Sequence, residues 1–357
     1  MTLYTVESSP HLRAPDDIRT VMWDVVLALI PAFIAAAVFF GWYSLLLTAV
    51  SVFVAVVTEA VIQKLRRVPV TVSDGSAVVT GILLAFVIPP FSPIYVAAVG
   101  AFFAIAIVKH CFGGLGNNIW NPALGGRAFL HFAYPVVFNA GSWPVLKEAR
   151  MLLGRIGLGA PDAVTQATPL KVIKSVATEA AAGDHADLVT RVLAGDHLSV
   201  WGEPMHLPSL LHMFLGNTPG CIGEVSGLAL VLGGLFLLLR KRIKWQVPVL
   251  YVGTVFALTA VLPMAPGLGW LPGVKVGLYH VVAGGLLLGA IFMATDMVTS
   301  PITVKGQVIF AVGCGVLTAL IRLFGGYPEG VCFSILLMNT AVPMIDRYTQ
   351  PRVFGVT

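Results

Sequence analysis

Long apolar stretches separated by short polar connections run through most of the chain, and this pattern predicts membrane-spanning helices. A helix needs roughly 20 apolar residues to cross the hydrocarbon core of a bilayer. Ten stretches approach that requirement, five on each side of a polar segment at residues 139–206. The predicted helices cover residues 21–40, 44–63, 75–88, 94–108, 122–138, 221–239, 247–262, 276–293, 304–323 and 331–345.

Basic residues directly follow several of these stretches, and they predict the orientation of the helices. Lys64, Arg66 and Arg67 follow the second stretch, Lys109 follows the fourth, and residues 240–242 follow the sixth. By the positive-inside rule, these ends face the cytoplasm. The sequence therefore predicts cytoplasmic termini at residues 1–20 and 347–357 and a periplasmic loop at residues 139–206. The two membrane halves cover residues 21–138 and 207–346.

Each half contains an odd number of predicted spans, so the second half must be inserted in the opposite orientation to the first. A short repeat supports this: Phe-Gly-Gly occurs at residues 112–114 and 324–326, with Asn121 and Asn339 downstream. Inverted repeats place binding sites at their interface, beside broken helices. We therefore predict an all-α integral membrane protein of about ten transmembrane helices, arranged as two inverted-topology five-helix repeats with broken or re-entrant helices. Residues 207–215 are predicted to form an interfacial helix.

Composition agrees with a membrane protein and excludes several other classes. Hydrophobic residues make up 57% of the chain and charged residues only 11%, against roughly 25% charged residues in soluble domains. The net charge of +5 lies mainly in short clusters beside apolar stretches, so we expect lipid contact and no nucleic-acid partner. The four cysteines lack C-x-x-C spacing, which argues against a zinc site or a four-thiolate iron–sulfur cluster built by this chain alone.

Residues 109–127 contain the first candidate site, because their glycines and Pro122 prevent a regular lipid-facing helix. Asn118 and Asn121 are three residues apart and would share a helical face. Their carboxamides suit the donor and acceptor edge of a flavin or quinone ring, but they suit helix capping equally well. Arg127 lies inside the fifth predicted span and requires a phosphate, a flavin or a carboxylate as its partner.

Several acidic residues within the apolar stretches are further candidates. Glu224 and Asp296 could contact a flavin, coordinate a hard cation or pass a proton. Asp74 and Asp296 also precede residues that favour capping of broken helices. Asp24 and Glu59 lie near span ends, where an interfacial position is the more economical interpretation.

The polar segment contains the most specific motif of the chain. Residues 162–170 read D-A-V-T-Q-A-T-P-L. Asp162, Thr165, Ala167 and Thr168 resemble the flavinylation motif of the membrane flavin subunits of the Rnf complex and of the sodium-translocating NADH:quinone reductase. The resemblance implies that FMN is joined to Thr168 through a phosphoester bond. Ala163 and Gln166 stand where this family usually has glycine.

The resemblance covers nearly the whole chain and is closest to the D subunit of Rnf. It rests on residues 8–11, 74–76, 80–81, 89–90, 112–116, 121–123, 223–226, 292–296 and 299–301. It implies a ten-helix fold in the bacterial inner membrane and an electron-transfer role in a complex that moves Na⁺ or H⁺. It also implies a second flavin-carrying subunit, other membrane and peripheral subunits, and a flavin transferase as partners.

The resemblance further implies a non-covalent riboflavin, which we place at Asn118 and Asn121, with Asp296 and Glu224 as additional contacts. A small-solute channel or secondary transporter of the same inverted-repeat architecture is the alternative, because composition and topology do not separate the two functions. The Thr168 motif does separate them, since a channel does not require a flavin attachment site.

Overall fold

The computed structural model describes residues 17–139, 169–170, 172–175, 193, 198–200, 203–205, 207, 209–216, 220–262, 270–326 and 329–350. Helices dominate these ranges. The helices of the first half are α1 (Ile18–Phe40), α2 (Trp42–Leu65), α3 (Ser76–Phe86), α4 (Ile94–Phe103), α5 (Pro122–Ala133) and α6 (Pro135–Asn139). Those of the second half are α7 (Leu210–Leu215), α8 (Gly227–Leu239), α9 (Gln246–Val261), α10 (Trp270–Val282), α11 (Leu286–Leu288), α12 (Val304–Phe324) and α13 (Val331–Thr349).

Each of the ten predicted stretches contains helix, but two of them are interrupted. The stretch 276–293 breaks at Gly284 and Gly285, whose φ angles are +69° and +66°. A non-glycine residue is strained in that left-handed region, so the glycines permit the break. The stretch 122–138 breaks before Pro135, which has no N–H group to continue the helix.

Two helices end in π-helical turns, which the apolar pattern did not predict. Ala104–Lys109 continues α4, and Gly289–Met293 continues α11. π-Helical turns occur frequently at functional sites. Both turns lead directly into the loops that hold the candidate residues described below.

The described residues are predominantly helical, as predicted, and the described part of the 139–206 segment adds one short antiparallel hairpin. Leu198–Val200 (β1) pairs with Glu203–Met205 (β2), with Leu198 opposite Met205. Only two residues separate the strands, which is the commonest length for a hairpin connection. The prediction missed it because three-residue strands are too short for an alternating pattern to be visible.

Several of the described helices are long and apolar enough to cross a bilayer, so the chain is a membrane protein. Helices α1, α2 and α12 meet the criterion alone, and Pro272–Val282 with Leu286–Met293 meets it as a pair bent by 61°. Four others are apolar but shorter: Ser76–Phe86, Ile94–Lys109, Gly227–Leu239 and Gln246–Val261. The count of ten spans and their division into inverted repeats stay predictions.

Helix α1 of the first half and helix α8 of the second half pack against each other in opposite directions. Asp24, near the start of α1, forms ion pairs with Arg240 and Arg242, which follow the end of α8. Farther along, a Cβ atom on Gly233 would lie 2.1 Å from the carbonyl oxygen of Ala28, so only glycine allows the two backbones to approach. The predicted topology requires these two helices to run in opposite directions.

Candidate functional site

A cavity between the two halves of the chain brings together three of the candidate residues; we call it the asparagine cavity. It measures ≈ 90 Å³ and is lined by both halves. The first half contributes Ser76, Lys109, Asn118 and Asn121, and the second contributes Phe292 and Asp296. The sequence predicted Asn118, Asn121 and Asp296 as site residues but did not predict that they share one cavity.

Asn121 caps α5, so the structure supports the capping interpretation for this residue. Its Oδ1 accepts hydrogen bonds from the N–H groups of Ala123 (3.0 Å) and Leu124 (3.3 Å). Its Nδ2 donates to the carbonyl of Met293 at 3.3 Å, which ties the start of α5 to the π-helical turn of the second half. Asn121 therefore fixes the shape of the cavity.

Asn118 differs from Asn121, because part of its amide remains available to a ligand. Its Nδ2 donates to the carbonyl of Trp120 at 3.0 Å. Its Oδ1 is buried and accepts no hydrogen bond from any residue that the structure describes. A buried acceptor without a partner is costly, so a ligand N–H group in the asparagine cavity would satisfy it.

Asn339 joins the two halves beside this cavity. In the amide orientation that satisfies its neighbours, it donates to the carbonyls of Ile335 (3.2 Å) and Thr299 (3.1 Å) and accepts from the N–H of Asn121 (3.2 Å). Asn121 and Asn339 each lie downstream of a Phe-Gly-Gly sequence, and the structure places the two residues in contact.

Asp296 shapes the loop on the second-half side of the asparagine cavity. Its carboxylate accepts hydrogen bonds from the Val298 N–H (3.3 Å) and the Thr299 hydroxyl (3.2 Å). This is the predicted capping role, in the turn that follows the π-helical Gly289–Met293. Asp74 has the corresponding role before α3, since its Oδ1 accepts from both the N–H (2.8 Å) and the hydroxyl (2.7 Å) of Ser76.

Glu59, which we predicted to lie near a span end, has a side chain that is only 1% exposed. The ammonium of Lys109, equally buried, lies 2.8 Å from each of its carboxylate oxygens. Pairing explains why both charges tolerate burial. Asp24 is also buried, and its carboxylate contacts Arg240 at 2.9 Å and Arg242 at 2.7 Å. A single sequence does not show which distant charges meet.

A second, larger cavity opens beside the first; we call it the polar vestibule. It measures ≈ 700 Å³, and its lining includes Gln63, Arg66, Asp74, His110 and Leu115. Leu115 also lines the asparagine cavity. Together the two spaces offer the volume of roughly 300–1,000 Å³ that is typical of small-molecule sites.

Arg127 is held by carboxylates, one of the three kinds of partner that its position predicted. It forms an ion pair with Glu329 and approaches Glu224 at 3.6 Å. Cys221 lies beside these acids. Its Sγ atom and one carboxylate oxygen each of Glu224 and Glu329 lie within 4.8 Å of one another. We call these four residues the Arg127 cluster. The arginine supplies the positive charge that the buried Glu224 and the partly buried Glu329 require.

Glu329 was missed by the sequence prediction, although a signal was available. It follows the Phe-Gly-Gly sequence at 324–326, which corresponds to the stretch before Asn121 in the first half. Arg322 was missed as well. It is only 1% exposed, and its guanidinium donates to the carbonyls of His280, Ala283, Gly284 and Glu329.

The helix break at Gly284 and Gly285 lies between the Arg127 cluster and the chain that follows residue 168. A Cβ atom on Gly285 would lie 2.5 Å from Oε1 of Glu224, and one on Gly284 would lie 2.4 Å from Cδ1 of Leu170. Leu170 is buried, with 3% of its surface exposed. The segment directly after the threonine motif is therefore packed against this break.

Helix α5 connects the two groups of candidate residues. Asn121 caps its start, and Arg127 follows six residues later. At a rise of 1.5 Å per residue, this separation is about 9 Å along the helix axis. The asparagine cavity and the Arg127 cluster are thus held on one rigid element.

The sequence profile of the NQR2, RnfD, RnfE family matches residues 5–355 of the chain. The chain belongs to this family. The resemblance that the motifs predicted is confirmed by this match. Curated relatives are also similar to this chain over almost their whole length.

Two of these relatives are the D subunits of ferredoxin:NAD⁺ oxidoreductase complexes. The Na⁺-translocating one from Acetobacterium woodii is 44% identical over 355 residues, which cover 99% of this chain and 96% of the relative. The proton-translocating one from Clostridium ljungdahlii is 45% identical with the same coverage. A third, the D subunit of an ion-translocating oxidoreductase complex of Stutzerimonas stutzeri, is 37% identical over 94% of this chain and 91% of the relative.

The predicted flavin-attachment motif of this NQR2, RnfD, RnfE family member lies outside the described residues. Asp162, Thr165, Ala167 and Thr168 all fall in this part of the chain, so their predicted roles stay predictions. The structure begins again at Pro169 and Leu170. Arg127, Asn118, Asn121, Glu224 and Asp296 are described, and they divide between the Arg127 cluster and the asparagine cavity.

Proposed function

We propose that this chain is a membrane electron-transfer subunit with FMN attached to Thr168 and a riboflavin in the asparagine cavity. It passes electrons between these flavins within an Rnf-type complex that couples ferredoxin and NAD redox chemistry to ion movement. The observation that carries the proposal is the convergence of Asn118, Asn121 and Asp296, from both halves of the chain, on one cavity. The named function of the curated relatives supports it.

The residues of the asparagine cavity fit a flavin ring. The unpartnered Oδ1 of Asn118 matches a ring N–H donor. Lys109 supplies a cation, and Phe292 supplies an aromatic face, in the same lining. The polar vestibule provides room beyond Leu115 for the hydroxylated side chain of riboflavin. The flavin supplies the redox chemistry, while the protein supplies position and electrostatics.

The neighbourhood of Leu170 supports the proposal for the covalent FMN. Leu170 is buried two residues after Thr168, against Gly284. An FMN on Thr168 would thus be attached close to the helix break and the Arg127 cluster. Along α5, Arg127 lies about 9 Å from Asn121, which lines the asparagine cavity.

The proposed topology has ten spans in two inverted repeats, in the bacterial inner membrane. The antiparallel contact of α1 with α8 supports opposite orientation of the halves. Arg66 lines the vestibule and Arg242 lines the asparagine cavity, so both spaces lie at the basic end of the bundle. By the positive-inside rule that end is cytoplasmic, which places both termini in the cytoplasm and residues 139–206 in the periplasm.

The proposed partners are a second flavin-carrying subunit, further membrane and peripheral subunits of the complex, and a flavin transferase. The transported ion is Na⁺ or H⁺, because relatives of nearly equal identity bear either name. A solute channel of the same architecture is the competing function. It uses the same cavity without a chromophore.

The experiment that tests the proposal is ultraviolet fluorescence of the denatured protein in a gel, with its intact mass. The protein is made in a host that has its own flavin transferase. We expect fluorescence and an FMN-sized mass excess in the native chain and in Thr165→Ala, and neither in Thr168→Ala. A dark, unmodified native chain would refute the redox function and favour the channel.

A further inference from the structure

A continuous line of hydrogen-bonded side chains joins the polar vestibule to the asparagine cavity. Asp74 lines the vestibule, whereas Ser76 and Lys109 line the cavity. The Lys109 ammonium donates to the Ser76 hydroxyl at 2.7 Å, and that hydroxyl donates to Oδ1 of Asp74 at 2.7 Å. We call these three residues the Lys109 relay. Each contact is short enough for a proton to be transferred.

A second set of contacts fixes the position of Lys109. Its ammonium lies 2.8 Å from both oxygens of Glu59, and Oε1 of Glu59 also accepts from Nε2 of Gln63 at 3.2 Å. Gln63 in turn donates to the Thr71 hydroxyl at 2.9 Å. The ammonium is therefore held against the cavity wall from the side of α2, while its third hydrogen bond goes to Ser76.

The charged environment of Lys109 comes from every element around it. Glu59 and Arg66 belong to the end of α2, Asp74 precedes α3, and His110 follows Lys109 directly. Asp296 and Arg242 line the same cavity as Lys109.

A purely structural ion pair does not account for this arrangement. An ion pair of Lys109 with Glu59 would not require Lys109 to line a cavity. It would also not require the Ser76 hydroxyl to connect Lys109 to Asp74 in the vestibule. Lysine also differs from arginine in that it can release a proton in a protein, which makes it suitable for acid–base chemistry. A buried lysine with an outlet to water is the arrangement that a proton donor requires.

We propose that Lys109 is the proton donor to the flavin of the asparagine cavity and is recharged through Ser76 and Asp74. The inference rests on the proposed function. For each electron that a reduced flavin or iron–sulfur centre of a neighbouring subunit delivered to the ring, the ammonium would turn one N–H group from Glu59 towards the ring; that N–H bond would break and one would form on a ring nitrogen. The Ser76 hydroxyl would then rotate, give its proton to the neutral amine and take one from Asp74, which would receive a proton from a hydronium ion in the vestibule. Oxidation of the ring reverses these steps.

The test uses the purified complex with Lys109→Arg, Ser76→Ala and the control Ser73→Ala. Arginine keeps the positive charge but does not release its proton. Ser76→Ala interrupts the relay but leaves the Lys109–Glu59 pair in place. Ser73 lines the same vestibule outside the relay. The non-covalent flavin of each variant is quantified first, and its bleaching after rapid mixing with reduced donor is then followed in H₂O and D₂O.

We expect Lys109→Arg to slow the bleaching about a hundredfold, the lower range for loss of a positioned proton donor. Ser76→Ala should also be slow, and added imidazole should restore its rate by carrying protons through the vestibule. In both variants the flavin content should stay close to that of the native complex, and Ser73→Ala should match the native rate.

Three results would overturn the inference. Native speed in Lys109→Arg would mean that Lys109 acts through its charge alone. If the flavin of Ser76→Ala bleaches as fast as that of Ser73→Ala, the relay is excluded. This comparison tests the inference even if Lys109→Arg loses its flavin. Equal native rates in H₂O and D₂O would exclude a proton step during bleaching. Absence of non-covalent flavin from the native complex would instead refute the proposed function.

Discussion

At the scale of single residues, the buried charges show what a sequence can and cannot predict. The position of Arg127 in an apolar stretch predicted that a partner must exist. The partner Glu329 lies 202 residues away in the chain, so only the fold identifies it. The partners of Asp24 and Glu59 were not predicted for the same reason, because proximity to a span end says nothing about a distant arginine or lysine that neutralises the charge.

Replacement of Arg127 by Gln should strongly destabilise the protein. It leaves Glu224 and Glu329 close together without their cation, and breaking a buried pair in this way costs about 3–5 kcal/mol. We expect a lower midpoint of thermal unfolding in detergent, with partial recovery in the double variant Arg127→Gln, Glu224→Gln. A midpoint equal to that of the native protein would show that the cluster does not stabilise the fold.

Replacement of Asn118 by Ala should weaken flavin binding with little loss of stability. The only hydrogen bond lost within the described residues is the one to the Trp120 carbonyl. An unsatisfied donor on the ligand costs about 1–3 kcal/mol, or roughly 5–150-fold in affinity. Titration of the apoprotein with riboflavin measures this, with the exposed Asn117→Ala as control. Equal affinity in both variants would remove Asn118 from the site.

At the scale of elements, the apolar pattern predicted where helices lie but not where they break. Residues 276–293 read as one span because hydropathy does not depend on whether a helix is continuous. The break is set by the left-handed Gly284 and Gly285 and by the side chains that fill the space beside them. The π-helical turns are likewise invisible in the pattern, since they require no special residue.

Gly284→Ala should disturb the segment that follows the attachment motif. The substitution forces alanine into φ +69° and places its Cβ 2.4 Å from Cδ1 of Leu170. The left-handed conformation alone costs about 1–2 kcal/mol. We expect a lower unfolding midpoint and less covalent flavin per chain. The control is Gly253→Ala, where a Cβ meets nothing within 4 Å; if both variants behave alike, the packing of Leu170 does not matter.

At the scale of the whole molecule, the sequence predicted a two-part membrane protein, and the structure adds how the parts meet. The contact of Asn121 with Asn339 and the packing of Gly233 on Ala28 both join the halves. Family motifs predict Thr168 as the attachment residue, which no pattern of hydropathy could have done. The asparagine cavity was only partly predictable, because Lys109 and Ser76 reach it through tertiary packing.

The orientation of the molecule can be tested with its own cysteines. Cys111 is exposed, whereas Cys221, Cys314 and Cys332 are buried. Because Cys111 follows the basic Lys109-His110 pair, the topology places it in the cytoplasm. A membrane-impermeant maleimide should label it in inverted vesicles and not in intact spheroplasts. A Cys111→Ser, Ser142→Cys variant should show the opposite pattern, and identical sidedness of the two would contradict the topology.

The most direct test of the account is the partition of flavin after acid precipitation of the purified protein. If the chain carries one covalent FMN and one non-covalent riboflavin, the washed pellet retains about one flavin per chain, and the supernatant contains about one riboflavin. Thr168→Ala should lose only the flavin of the pellet, and Asn118→Ala should lose mainly that of the supernatant. A colourless pellet and supernatant from the native protein would contradict the account.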